Sequence, residues 1–172
     1  MKIMVFTEGT IIMHRGGINH SREEISRQVV EKEKTLYDWD SYVPVGNSVD
    51  KLCAWYDHGA EIVYLTSRTI PDEIESIRRV LSKYRFPQGL LLCRSENKHY
   101  KDVAEEINPD VLVEDNCESI GGIEEMTITH VKPEIRGKII SIPVKEFGGI
   151  DHLPDDINEL NHYKQIVGIK YE

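Results

Sequence analysis

The chain has 172 residues, 40% hydrophobic and 30% charged, with a formal net charge of −9. That length fits one domain with a real core, the composition is that of a globular chain rather than a disordered or fibrous one, and no apolar run approaches the roughly 18 residues of a membrane span. The acidic balance argues against a nucleic-acid binder, whose affinity comes from Lys and Arg neutralising phosphates, and a phosphorylated ligand would need a divalent cation to help hold it.

The first predicted element is a strand over residues 2–6, Lys2-Ile3-Met4-Val5-Phe6, running into Thr7-Glu8-Gly9-Thr10. Polar residues follow too soon for a signal-peptide core, so a cytoplasmic protein is expected. Residues 12–45 are polar, contain Gly16-Gly17, and include a charged helical stretch from about Ser21 to Leu36 whose apolar edge is only Ile25, Val29 and Leu36. This insertion reads either as a small lid over the strand ends or as a solvated hairpin. Ser48 is placed to cap a helix with the apolar face Val49, Leu52, Cys53 and Tyr56, which Gly59 ends.

A second strand is predicted over 61–66, leading into Thr66-Ser67-Arg68. Pro71, Asp72 and Glu73 open a helix with Ile74, Ile77, Leu81 and Tyr84 on one face. A third strand follows over 89–93, then Lys98 and Lys101 before a shorter apolar stripe of Val103, Ala104 and Ile107, closed by Asn108-Pro109-Asp110. The fourth strand, 111–114, ends in Glu114-Asp115-Asn116, and a fifth is expected over 138–142. From Val144 onward a tail carries Gly148-Gly149, Pro154 and Asp155-Asp156, and Ile166, Val167 and Ile169 near its end would suit a contact in a homo-oligomer.

Strands that are apolar throughout and alternate with helices imply a three-layer α/β/α sandwich, Rossmann-like, around a parallel sheet. Residues 1–143 form its core, with the 12–45 insertion as a small cap, and 144–172 a C-terminal extension. In such a sheet the carboxyl ends of the strands line a crevice, so the polar clusters that follow each apolar run can converge. Glu114 and Asp115 are hard oxygen donors suited to magnesium, or else Asp115 or Asn116 caps a helix. Thr66, Ser67 and Arg68 offer a hydroxyl and backbone amides to a phosphate, and Lys98 or Lys101 supplies positive charge. Cys53, Cys93 and Cys117 have neither metal-type nor redox-type spacing and read as buried structural thiols of a reducing compartment. His14 and His20 are expected to be solvated or ordinarily packed.

In order and spacing these clusters resemble the haloacid dehalogenase-like hydrolase superfamily, most of whose members are magnesium-dependent phosphatases. The likeness spans roughly residues 2–143 and is carried by Glu8-Gly9-Thr10, Tyr64-Leu65-Thr66-Ser67-Arg68, Lys98 or Lys101, and Pro109-Asp110-Val111-Leu112-Val113-Glu114-Asp115-Asn116. It implies a magnesium-dependent phosphohydrolase acting on a small phosphorylated molecule: Glu8, Thr10, Thr66 and Lys101 or Lys98 in catalysis, Gly9, Ser67 and Arg68 on substrate, and Asp115, Glu114 and Glu8 on Mg2+. The first motif departs from the family pattern Asp-x-Asp-Gly-Thr. Anchored on Gly9-Thr10, it puts Phe6 in the nucleophile position and Glu8 in the acid position; anchored on strand length it puts Thr7 there; a third register makes Glu8 the nucleophile with Thr10 two residues on. No register supplies an aspartate, so the alternative is a weak or inactive member that binds a phosphorylated ligand in a regulatory role.

Overall fold

Successive residues of a strand point to opposite faces of the sheet, so a strand apolar throughout must be covered on both sides. The computed structural model, which describes residues 1–168, shows this arrangement. Strands β1 (Lys2–Phe6), β4 (Glu61–Thr66), β5 (Gly89–Cys93), β6 (Val111–Asp115) and β7 (Ile140–Val144) form one parallel sheet in the order β5-β4-β1-β6-β7. On one face Ile3, Val5, Ile62, Tyr64, Val111 and Val113 pack with Leu52 and Trp55 of α2 (Ser48–Asp57) and Ile77 and Val80 of α3 (Pro71–Lys83). On the other, Met4, Val63, Leu65 and Leu112 meet Val103 and Ala104 of α4 (Tyr100–Ile107), Ile128 of the short α5 (Thr127–His130), and Val131 and Ile139 around α6 (Pro133–Arg136).

β1 is the point at which the winding reverses: it pairs with β4 on one side and β6 on the other. A crevice opens beyond the carboxyl ends of strands at such a place. The register sets which residues meet there. Phe6 lies opposite Leu65, Thr66 opposite Cys93, and Asp115 opposite Val144.

The insertion after β1 carries its own two-stranded antiparallel pair, β2 (Ile12–Met13) with β3 (Val43–Pro44). Between them α1 (Arg22–Val30) opens with a capping box, Ser21 accepting from the Glu24 amide and Glu24 from the Ser21 amide. The helix expected over 21–36 therefore stops at Val30, and Lys34–Tyr37 and Trp39–Ser41 are 3-10 turns. The insertion is clamped to the core, since Asp40 accepts from Arg79 Nε at 2.7 Å and Nη2 at 2.9 Å.

Three further details differ from the sequence reading. The last strand runs 140–144 rather than 138–142, because Ile139 belongs to the opposite core and the pairing with β6 starts at Ile140. Ser48 does not cap α2: its hydroxyl donates to the Val45 carbonyl from inside the helix. The cysteines are free, as expected, but half-buried rather than buried. The tail docks on the sheet, with Ile150, Leu153, Ile157 and Leu160 in the core beside α2. The side chains of Ile166 and Val167, and Ile169 altogether, lie outside the described residues.

Candidate functional site

The turn after β1 sets the centre of the crevice. Gly9 has φ +82°, where an L residue is strained, and a Cβ built on it would stand 2.8 Å from Asp115 Oδ2. Only a glycine lets the main chain pass this close to that carboxylate. Thr10, fully buried next to it, donates to Asp115 Oδ2 at 3.1 Å and accepts from the Asp115 amide at 3.1 Å, which ties the β1 turn to the end of β6.

Glu8 points toward β4. Its Oε1 accepts from Thr66 Oγ1 at 2.6 Å, with Arg68 Nε at 3.5 Å, and its Oε2 accepts from Thr7 Oγ1 at 2.6 Å and the Ser67 amide at 3.1 Å. The side chain is only 13% exposed, so the carboxylate is held by dipoles and one cation rather than by water. Thr66 is fully buried and gives its proton to Glu8, while its oxygen accepts from the Arg68 amide. Ser67 differs: its Oγ accepts from Arg68 Nη2 at 2.7 Å, and among the described residues nothing takes its proton.

Asp115 keeps spare capacity. Oδ2 accepts from Thr10 and Oδ1 from the Cys117 amide at 2.9 Å, leaving each oxygen a lone pair. Burial pushes its carboxyl above the usual range, partly offset by these donors. Glu114 faces the opposite core. Its oxygens accept from the Thr127 amide at 2.8 Å and the Ile128 amide at 3.0 Å, at the start of α5, and burial raises it to about 7. That geometry ties Glu114 to the α5 loop through one donor on each oxygen, the same count as at Asp115, and Glu114 too lines the cavity at the strand ends.

A cavity of about 550 Å3 opens here, lined among others by Phe6, Glu8, Ser67, Tyr100, Lys101, Asp115 and Glu146. The volume lies within the usual range of small-molecule sites. Phe6, at the end of β1, sets its ring edge-on to Tyr100, with centroids 5.3 Å apart. Lys101, at the start of α4, reaches the cavity; Lys98 turns away to pair with Glu106 at 2.8 Å on the surface. Gly9, Thr10, Thr66 and Arg68 do not line the cavity, nor does any residue of 12–45. Its rim is built instead from segments that follow β5 and β6, including Arg94, Ile120, Glu125 and His130.

Glu146 was not anticipated. It is buried two residues beyond β7, accepts from the Ser119 amide and hydroxyl at 2.7 Å each, and is raised by burial. The signal was present, since it is an acid just past an apolar strand, but it becomes visible only when the strand is carried to Val144.

The donor chemistry fits a magnesium ion. Asp115, at the end of β6, and Glu8, in the turn after β1, are hard-oxygen groups that both line the cavity, and this cation takes one or two carboxylates, completing its shell with water and phosphate. Among the described residues no group of three or more His, Cys, Asp or Glu gathers as a metal cage.

No protein-family model matches the sequence, and no curated protein matches it. Solved structures do match in fold. The class C acid phosphatase from Bacillus anthracis superposes with a TM-score of 0.52 at 15% identity, covering 99% of this chain and 80% of that one. Its tungstate-bound form gives 0.52 at 13% identity over the same shares. A chain of the Pnkp1/Rnl/Hen1 RNA repair complex gives 0.53 at 16% identity over 84% of this chain, which spans less than half of that one, 43%. Identities this low speak for the fold alone: this chain is an α/β protein with a five-stranded parallel sheet and phosphatase-like neighbours.

Proposed function

We propose that the crevice binds a small phosphorylated molecule together with Mg2+, in a member of the haloacid dehalogenase-like superfamily that has lost the strand-end nucleophile of its relatives. The observation that carries this is Phe6. At the end of β1, beside the cavity, the chain presents an aromatic ring packed on Tyr100, which can form no covalent intermediate. Glu8, two residues on, has hydrogen-bond donors on both oxygens, which lowers the reactivity of its lone pairs. In this reading Ser67 donates its free proton to the phosphate, Lys101 neutralises its charge, and Asp115, with a lone pair free on each oxygen, holds the metal, which Glu8 joins only by releasing one of its donors. Bound there, the metal would screen the phosphate from the acidic wall. The net charge of −9 supports a small ligand over a nucleic acid. Among the described residues no helix is long and apolar enough to cross a membrane.

A second reading is favoured by one specific arrangement: Glu8, Asp115, Ser67 and Lys101 line one cavity, as phosphohydrolase chemistry would require. Glu8 would then take a proton from a water that attacks phosphorus and return it to the oxygen of the leaving alcohol. Phosphate release from a panel of phosphomonoesters, with and without Mg2+, separates the two. Binding without turnover supports the first, and magnesium-dependent turnover abolished in Glu8→Gln supports the second.

A further inference from the structure

Arg68 is held from three directions. Its guanidinium approaches Glu8, with Nε 3.5 Å from Oε1; it donates to Ser67 Oγ from Nη2 at 2.7 Å and from Nε at 3.3 Å; and its carbon lies 4.1 Å from the centroid of the Trp39 ring. A second carboxylate, Glu73, stands 4.0 Å away on the other side. Trp39 comes from the insertion, none of whose residues lines the cavity.

Trp39 is itself fixed. Its ring packs against Tyr42, centroids 5.3 Å apart, and Tyr37 at 6.2 Å. The next residue, Asp40, is clamped by Arg79 and accepts from Ser76 Oγ at 3.1 Å. The aromatic face is thus a rigid floor beneath a side chain that could otherwise turn to Glu73 or to solvent.

From this geometry we infer that Trp39 is a positioning residue for phosphate capture, acting through Arg68 on the Ser67 hydroxyl. A hydroxyl oxygen that accepts from Arg68 directs its own proton elsewhere, and Ser67 lines the cavity. Stacking on Trp39 keeps Arg68 on Ser67 rather than on Glu73, so the hydroxyl waits as a donor. The insertion therefore serves the site as a brace, although it does not cover the cavity. The inference rests on the phosphate-binding reading.

The test is a double-mutant cycle in the full chain, read as the affinity for inorganic phosphate in the presence of Mg2+ by titration calorimetry. A cation–π contact of this kind predicts that Trp39→Ala weakens binding by roughly 2- to 30-fold, that Trp39→Phe restores most of it, and that Trp39→Ala has no further effect in a Ser67→Ala background. Losses that add independently in the double variant, or an unchanged affinity in Trp39→Ala, would overturn the inference while leaving the phosphate site intact. A wild-type protein that binds no phosphate would overturn the phosphate-binding reading and the inference together. Should Trp39→Ala lose its fold, Trp39→Leu, which keeps an apolar side chain without a π face, takes its place in the cycle with the same two outcomes.

Discussion

Glu114→Gln probes the buried end of β6 by its pH dependence. Glu114 ordinarily titrates near 4.5 and is raised to about 7, mainly by burial and against the pull of the Ile128 and Thr127 amides. Ionising it in place therefore costs about 3 kcal/mol. The folded state holds this proton where the unfolded chain has released it, so stability falls as pH rises from about 4.5 to about 7. Asp115 and Glu146, also raised by burial, slope the same way and are present in both proteins. Glutamine keeps the shape but cannot ionise, and its NH2 opposes one of the two amides, a fixed penalty of about 1–3 kcal/mol. Relative to wild type the variant should be clearly less stable at pH 5 and should recover about 2.5 kcal/mol by pH 8. For a domain of this size that is a change of about 5–10 °C in the difference between the two melting temperatures. Thermal denaturation by circular dichroism across pH 5–8 measures it. Parallel curves, with the difference constant in pH, would refute the argument that Glu114 is buried as described.

Gly9→Ala should destabilise the protein by about 2 kcal/mol or more, from the left-handed backbone together with the contact on Asp115, and a melting temperature equal to wild type would count against that close approach. Lys101→Ala should weaken phosphate binding about tenfold while Lys98→Ala leaves it unchanged, because only the former lines the cavity; calorimetry with both variants decides this. Asp115→Asn should remove the magnesium dependence of phosphate affinity, and a retained dependence would place the metal elsewhere. Phe6→Asp should introduce magnesium-dependent release of phosphate from p-nitrophenyl phosphate, at the expense of stability from a charge buried beside Tyr100; a folded variant with no release would show that the strand end is not the missing nucleophile position.

Most of the sheet was legible because its strands are apolar on both faces, and Ile3-Met4-Val5 or Val111-Leu112-Val113 can be satisfied only between two helical layers. Pro71 and Gly59 marked helix boundaries by backbone chemistry alone. Long-range pairing was not legible. The lysine alternatives were equivalent in the sequence, and the start of α4 at Tyr100 leaves Lys98 in the preceding loop, near Glu106, and Lys101 on the cavity. Glu114 and Asp115 are neighbours of one type, yet strand alternation sends their side chains to opposite sides, one to the α5 amides and one to Thr10. The insertion's bracing through Trp39 and Asp40 depends on α3 being close, which local patterning does not carry.

The central claim is that a phosphate site persists here without a strand-end nucleophile. Titration of wild-type protein with inorganic phosphate, with and without Mg2+, run beside phosphate release from a broad phosphomonoester panel, tests it most directly. The account predicts magnesium-dependent binding and no release above the Asp115→Asn and Glu8→Gln variants. Robust magnesium-dependent release by the wild type, lost in both variants, would contradict it and make Glu8 a catalytic carboxylate.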